Sequence, residues 1–201
     1  MCKKIFVYGD SISLQWGYHF EKLLKKQYIY DRLGGGNSLD LADFRYNGGS
    51  SEKMKSWMDV QIRQNGTILL FNCGLHDIIR FSNGAYAVSE KSYEDNIMII
   101  VKKGKNIFDN IIWLSITPVD DERHKRFNPD FDRYNEDVIK YNTIAQRIAD
   151  KENIPVIDLY GFTEMIKNEY ENIYKDHVHM VKDVSDRQAE FIYNKIIEIT
   201  K

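Results

Sequence analysis

Short apolar runs alternate with longer stretches of helical period along this chain, and that alternation constrains its fold more than any other feature. Residues 5–8, 43–46, 67–72, 111–116 and 156–159 read as strands. Between them, apolar side chains recur at three and four residues, as on one face of a helix. Trp16, Phe20, Leu23 and Leu24 form the first such face. Met54, Trp57, Met58 and Ile62 form the second, with Ser50 or Ser51 as its cap. Tyr93, Ile97, Ile100 and Val101 form the third, opened by Ser92 and Asp95 as a capping box. Tyr134, Val138, Tyr141, Ala145 and Ile148 line a fourth, and Ala189, Ile192, Ile196 and Ile199 a fifth. Residues 120–132 are polar and read as a long surface loop. Continuous apolar strands alternating with helices predict an α/β protein with a parallel sheet of about five strands covered on both faces.

With 201 residues, the chain is long enough for one such domain over residues 1–201 and short for two. Apolar residues make up 43 % and charged residues 29 %, a globular balance. A net charge of −2 gives no electrostatic reason to expect nucleic acid or an acidic membrane as partner. Cys2 and Cys73 make no disulfide framework. The apolar stretch after the N-terminus is too short for a signal-peptide core, and no run reaches the length of a membrane span. A cytoplasmic protein is the expectation.

Ligands of open parallel sheets bind at the carboxyl ends of the strands, which selects a handful of segments. After the first strand come Gly9, Asp10, Ser11, Ile12 and Ser13. A serine between a buried strand and a helix sits where partial positive charge favours an oxyanion; it could equally cap the helix. The lipase elbow Gly-x-Ser-x-Gly is absent, because residue 13 is serine. Next come Asn47, Gly48, Gly49, Ser50 and Ser51, where two glycines allow close approach of backbone N–H groups or simply make a turn. Then come Cys73, Gly74, Leu75, His76 and Asp77, where His76 could be a base, a donor or a surface residue. Last come Asp176, His177, Val178 and His179. An aspartate three residues before a histidine can accept a bond from that ring and fix its tautomer. His177 and His179 could also serve zinc, but His19 and His124 are isolated, and nothing else has metal-like spacing.

Taken together and in order, these segments resemble the SGNH (GDSL-like) hydrolase family. The resemblance implies a flavodoxin-like three-layer α/β/α sandwich, Ser11 as nucleophile, and His179 with Asp176 as its base and orienting acid. It implies an oxyanion hole made by Ser11, Gly49 (with Gly48 as the other register) and the residue at 76. Asp10, Gly48, Asp77 and His177 flank these positions as substrate-binding candidates. The family's third block is Gly-x-Asn-Asp, whereas this chain has His76 in the asparagine's place. A neutral imidazole still donates one N–H, so the role survives with a new pH dependence.

The implied activity is serine-dependent hydrolysis of a small-molecule ester with no metal or organic cofactor. The polar stretch at 120–132, with Arg123, His124, Lys125 and Arg126, suits an O-acetylated carbohydrate as substrate better than a lipid. A lysophospholipase, a thioesterase or an acyltransferase would use the same residues. From another class, a non-catalytic carbohydrate- or phosphate-binding module would use the same loops. Neither a Gly-x-Gly-x-x-Gly motif nor a P-loop is present to favour nucleotides.

Overall fold

The computed structural model describes residues 3–25, 27–127 and 130–201, so Cys2 lies outside it. Five strands form one sheet: β1 (Lys3–Tyr8), β2 (Tyr28–Arg32), β3 (Gln64–Phe71), β4 (Phe108–Leu114) and β5 (Val156–Ile157). They lie in the order β2-β1-β3-β4-β5, and every neighbouring pair is parallel. The helices are α1 (Ser11–Leu24), α2 (Ser51–Asp59), α3 (Glu90–Ile107), α4 (Asp121–Phe127), α5 (Asn135–Glu152), α6 (Leu159–Ile166) and α7 (Lys182–Thr200). α1 and α6 pack against α7, while α3 packs between α2 and α5. This is the three-layer α/β/α sandwich that the alternation predicts.

The central strands are apolar because both of their faces are covered. Ile68, Leu69, Leu70 and Phe71 of β3 and Ile111, Ile112, Trp113 and Leu114 of β4 are all buried. Burying each such side chain contributes about 1.5–3 kcal/mol, so these strands anchor the core. Edge strand β2 is different. Its sequence, Tyr-Ile-Tyr-Asp-Arg, buries Arg32 and leaves Ile29 half exposed.

The strand expected at 43–46 does not form. There, the Asp43 carboxylate accepts the Arg45 backbone N–H and its Nε at 3.0 Å each. That local bonding gives the backbone an alternative to the sheet, and β2 takes the edge instead. The polar stretch after Thr117 is also not a plain loop, since it contains α4. Asp120 caps this helix by accepting Arg123 N–H at 3.0 Å. Acidic residues open α4 and basic ones close it, matching the helix dipole. Helix α3 starts a turn earlier than Ser92, capped by Ser89, which accepts the Ser92 N–H at 3.2 Å. The strand expected at 156–159 ends at Ile157, because Asp158 caps helix α6 by accepting Gly161 N–H at 2.9 Å. No helix among the described residues is long and apolar enough to cross a membrane.

Candidate active site

The site is built where β1 and β3 end. Tyr8 closes β1, and within three residues the chain has turned into α1. Asp10 is the N-cap, its Oδ1 accepting Ile12 N–H at 3.0 Å. Ser11 is therefore free of the capping task and stands as the first residue of the helix. Its N–H has no intrahelical acceptor at that position. The Ser11 side chain is nearly buried, and its Oγ lies 2.8 Å from His179 Nε2.

His179 comes from 168 positions away, so something must hold it there. Gln15, one turn along α1 from Ser11, does so. Its Nε2 donates to Met180 O and its Oε1 accepts Met180 N–H, both at 2.9 Å. The segment is also closed on itself, with Lys175 N–H donating to His179 O at 2.8 Å and Val181 N–H to Ile173 O at 2.9 Å. Inside that closed turn, Asp176 Oδ1 accepts the N–H groups of Val178 and His179 at 2.9 Å each. Its Oδ2 takes His179 Nδ1 at 2.7 Å. Burial alone would raise the Asp176 pKa, but these donors outweigh it and hold the carboxyl well below the usual carboxylate range. Nδ1 must then carry the proton, which leaves the Nε2 lone pair facing the Ser11 hydroxyl. A hydroxyl, a ring and a carboxylate joined in this way can generate a serine nucleophile.

The glycine turn approaches the same place. A Cβ on Gly48 would fall 2.6 Å from the Tyr8 ring, so only glycine fits. Its N–H donates to Gly9 O at 2.9 Å and its carbonyl accepts Tyr8 Oη at 3.0 Å, so both groups are used internally. Gly49 has φ +64, a left-handed conformation. Its N–H donates to Asn47 Oδ1 at 2.9 Å.

His76 lines the cleft with Ser11, Asn47, Arg133, His177 and His179, in a volume of about 260 Å³. Burial lowers its pKa, opposed by Asp10 and assisted by Arg133 and Lys53. The ring is neutral at pH 7 and keeps one N–H to donate. Asp77, one residue on, turns away from the cleft. It is fully buried, and both of its oxygens accept Ser51 N–H at 3.0 Å, with the Ser51 hydroxyl donating as well. It fastens the loop after β3 to the start of α2. Burial raises its pKa to about 6. Asp10 is likewise enclosed, and burial raises its pKa too. Of the four flanking candidates, only His177 reaches the cleft surface.

The His-x-His pair diverges. His179 turns to Ser11, whereas His177 Nδ1 lies 2.5 Å from His124 Nδ1. His124, expected to be isolated, is buried and bonded on both sides; its Nε2 lies 2.8 Å from Phe131 O. A carbonyl only accepts, so His124 Nε2 carries a proton. Burial lowers the pKa of both rings, that of His177 to about 4. With both rings neutral, His124 Nδ1 accepts from His177 Nδ1–H, and His177 Nε2 is left with a lone pair.

Sequence reasoning missed Arg133, which is buried in the cleft wall with Nε donating to Leu75 O at 2.7 Å. It also missed Gln15. Gln15 carried one legible signal, its position four residues after Ser11 on the same helix face. A wider groove beside Trp113, Asn142 and Tyr160 shares no residue with this site.

Comparison with known proteins agrees with this architecture. The fold is similar to that of a lipase/acylhydrolase from Enterococcus faecalis, at 16 % identity over 96 % of this chain and 95 % of that one, with a TM-score of 0.67. It is similar to an acetyl xylan esterase, AlAXEase, at 17 % identity, 96 % and 99 % coverage and a TM-score of 0.71. It is also similar to a carbohydrate acetylesterase from Sinorhizobium meliloti, at 14 % identity, 98 % and 99 % coverage and a TM-score of 0.65. No curated protein sequence matches. The family pattern described as GDSL-like Lipase/Acylhydrolase, by contrast, matches from residue 5 to residue 192, so the chain belongs to that family of carboxylic ester hydrolases.

Proposed function

We propose that this protein hydrolyses small O-acyl esters, O-acetyl esters above all, through Ser11, His179 and Asp176. One observation carries the proposal: His179 Nε2 stands 2.8 Å from Ser11 Oγ while Nδ1 is bonded to Asp176. In this reading Ser11 Oγ attacks the ester carbonyl as His179 Nε2 takes its proton. The imidazolium is stabilised by Asp176 and then gives that proton to the leaving alcohol. Water repeats the sequence on the acyl-enzyme and releases the carboxylic acid. The developing oxyanion is held by Ser11 N–H and by the neutral ring of His76. Gly49 N–H joins them when Asn47 Oδ1 gives it up.

The size and polarity of the cleft support this choice of substrate. A volume of about 260 Å³, walled by Leu41, Ala42, Leu75 and Val178, suits a short acyl group. The lone pair on His177 Nε2 suits a hydroxyl of the alcohol, as an acylated carbohydrate would supply. Two proteins of similar fold are an acetyl xylan esterase and a carbohydrate acetylesterase, which is consistent with that choice.

The test is a panel of p-nitrophenyl acetate, butyrate and octanoate beside acetylated monosaccharides. Acetate is expected to be cleaved with kcat/KM at least about tenfold above octanoate, because a chain too long for its pocket cannot be buried productively. Octanoate cleaved faster than acetate would overturn the small-acyl reading. His76→Ala is expected to lower kcat by roughly 10²–10³, the usual cost of one oxyanion donor. A drop of less than about threefold would remove His76 from the oxyanion hole.

A further inference from the structure

Among the described residues Arg133 is the one cation in the wall of the cleft, and no carboxylate pairs with it directly. The side chain is 7 % exposed. It makes no ion pair among the described residues, and Nε to Leu75 O at 2.7 Å is the only hydrogen bond they give it. A guanidinium has five N–H donors in a planar fork, so both Nη groups are unassigned. The Leu75 bond and the Phe131 ring, 4.9 Å from the guanidinium carbon, fix its plane. The carboxylates of Asp10 and Asp176 act on it through space, but neither makes an ion pair or a hydrogen bond with it among the described residues. Asp176 holds His179 and two backbone N–H groups. Asp10 caps α1 through Oδ1 and is sealed from the cleft, its Oδ2 without a hydrogen-bond partner among the described residues. Lys53, the other cation near His76, is braced by the carbonyls of Phe44 and Asn47. Burial lowers the Arg133 pKa to about 10, which still leaves it charged at pH 7. Burying a cation without a partner is costly, and here the missing partner would sit beside Ser11 and His179.

The geometry points to an anion subsite at Arg133, so that preferred substrates are esters carrying a carboxylate or phosphate next to the acylated hydroxyl. This deepens the esterase reading and rests on it for the position of the scissile bond. The two Nη groups take the two oxygens of the anion side by side, while His177 Nε2 accepts a neighbouring hydroxyl.

Two matched pairs of acetyl esters test this. One pair is 2-acetoxypropanoate and its methyl ester; the other is acetylglycerol 3-phosphate and acetylglycerol. The wild-type protein is expected to favour at least one anionic member by about tenfold or more in kcat/KM, as a charge-assisted pair of hydrogen bonds implies. The pair showing the preference identifies carboxylate or phosphate as the ligand. Arg133→Gln should bring the ratio near one, and Arg133→Lys should restore part of it. Thermal melting of each variant checks that it folds. A wild-type ratio of one or below in both pairs overturns the subsite and leaves the esterase reading standing. So does an Arg133→Gln variant that slows both members of a pair equally, since Arg133 would then serve the oxyanion. Calorimetric titration with inorganic phosphate and with 2-hydroxypropanoate needs no turnover. Binding by wild type that is lost in Arg133→Gln supports the subsite even if no ester is cleaved, and no binding of either anion, with no ester cleaved, overturns it.

Discussion

Ser11→Ala is expected to lower kcat/KM for p-nitrophenyl acetate by about 10⁴–10⁶, the scale seen when a serine nucleophile is removed from such a unit. The same change should leave the melting temperature within about 2 °C, because the hydroxyl and its one partner, His179, both line the open cleft and the loss strands no group away from water. Had Ser11 been the cap of α1, its loss would cost on the order of 1 kcal/mol. The cap is Asp10, whose carboxylate holds Ile12 N–H. The one hydrogen bond of the Ser11 hydroxyl among the described residues is to His179. Activity and stability therefore separate at this residue. Kinetics and a thermal melt on one preparation check both, and a destabilised but still active variant would make Ser11 structural.

Asp176→Asn is expected to cost about 10³–10⁴ in kcat with KM little changed, as when the orienting acid of such a unit is replaced by an amide. The reason is tautomeric. Oδ1 accepts two backbone N–H groups, of Val178 and His179, so an asparagine oxygen would take that place. Its NH₂ would then face His179 Nδ1, where Oδ2 now accepts. Two donors cannot meet there, so Nδ1 must lose its hydrogen and Nε2 must gain one. Nε2–H would point at Ser11 Oγ and could no longer take its proton. Raising the pH should not restore activity, because the defect is the position of a proton within a neutral ring. Steady-state rates across pH 6–9 (roughly the range where an imidazole base works) check this. Recovery of the wild-type rate at high pH would contradict it.

Much of this arrangement was legible from local pattern. The strand ends at residue 8 and, within one residue, at 71 follow from continuous apolar runs, and the spacing of Asp176 and His179 follows from the chemistry of an oriented imidazole. What escaped the sequence was whatever depends on distant partners. β2 carries Asp31 and Arg32 and has no continuous apolar run, yet it pairs with β1, and its buried Arg32 bonds Ser13 and Tyr46. α4 has no apolar stripe because its one buried side chain is His124. Asp77 looks like a cleft residue and is instead claimed by Ser51, 26 positions away. Gly48 and Gly49 were readable as a close-packed turn, but not that Gly9 and Asn47 would take their N–H groups. Arg133 lies beside charged neighbours in sequence, and only the fold turns it inward.

Fluorophosphonate labelling followed by peptide mapping reads out whether Ser11 is an activated nucleophile, because the probe reacts with such a serine whatever the natural ester is. The wild-type protein should carry a single adduct on Ser11, with labelling lost in Ser11→Ala and slowed by orders of magnitude in His179→Ala. A wild-type protein that stays unlabelled, or one modified at a different serine, would contradict the account.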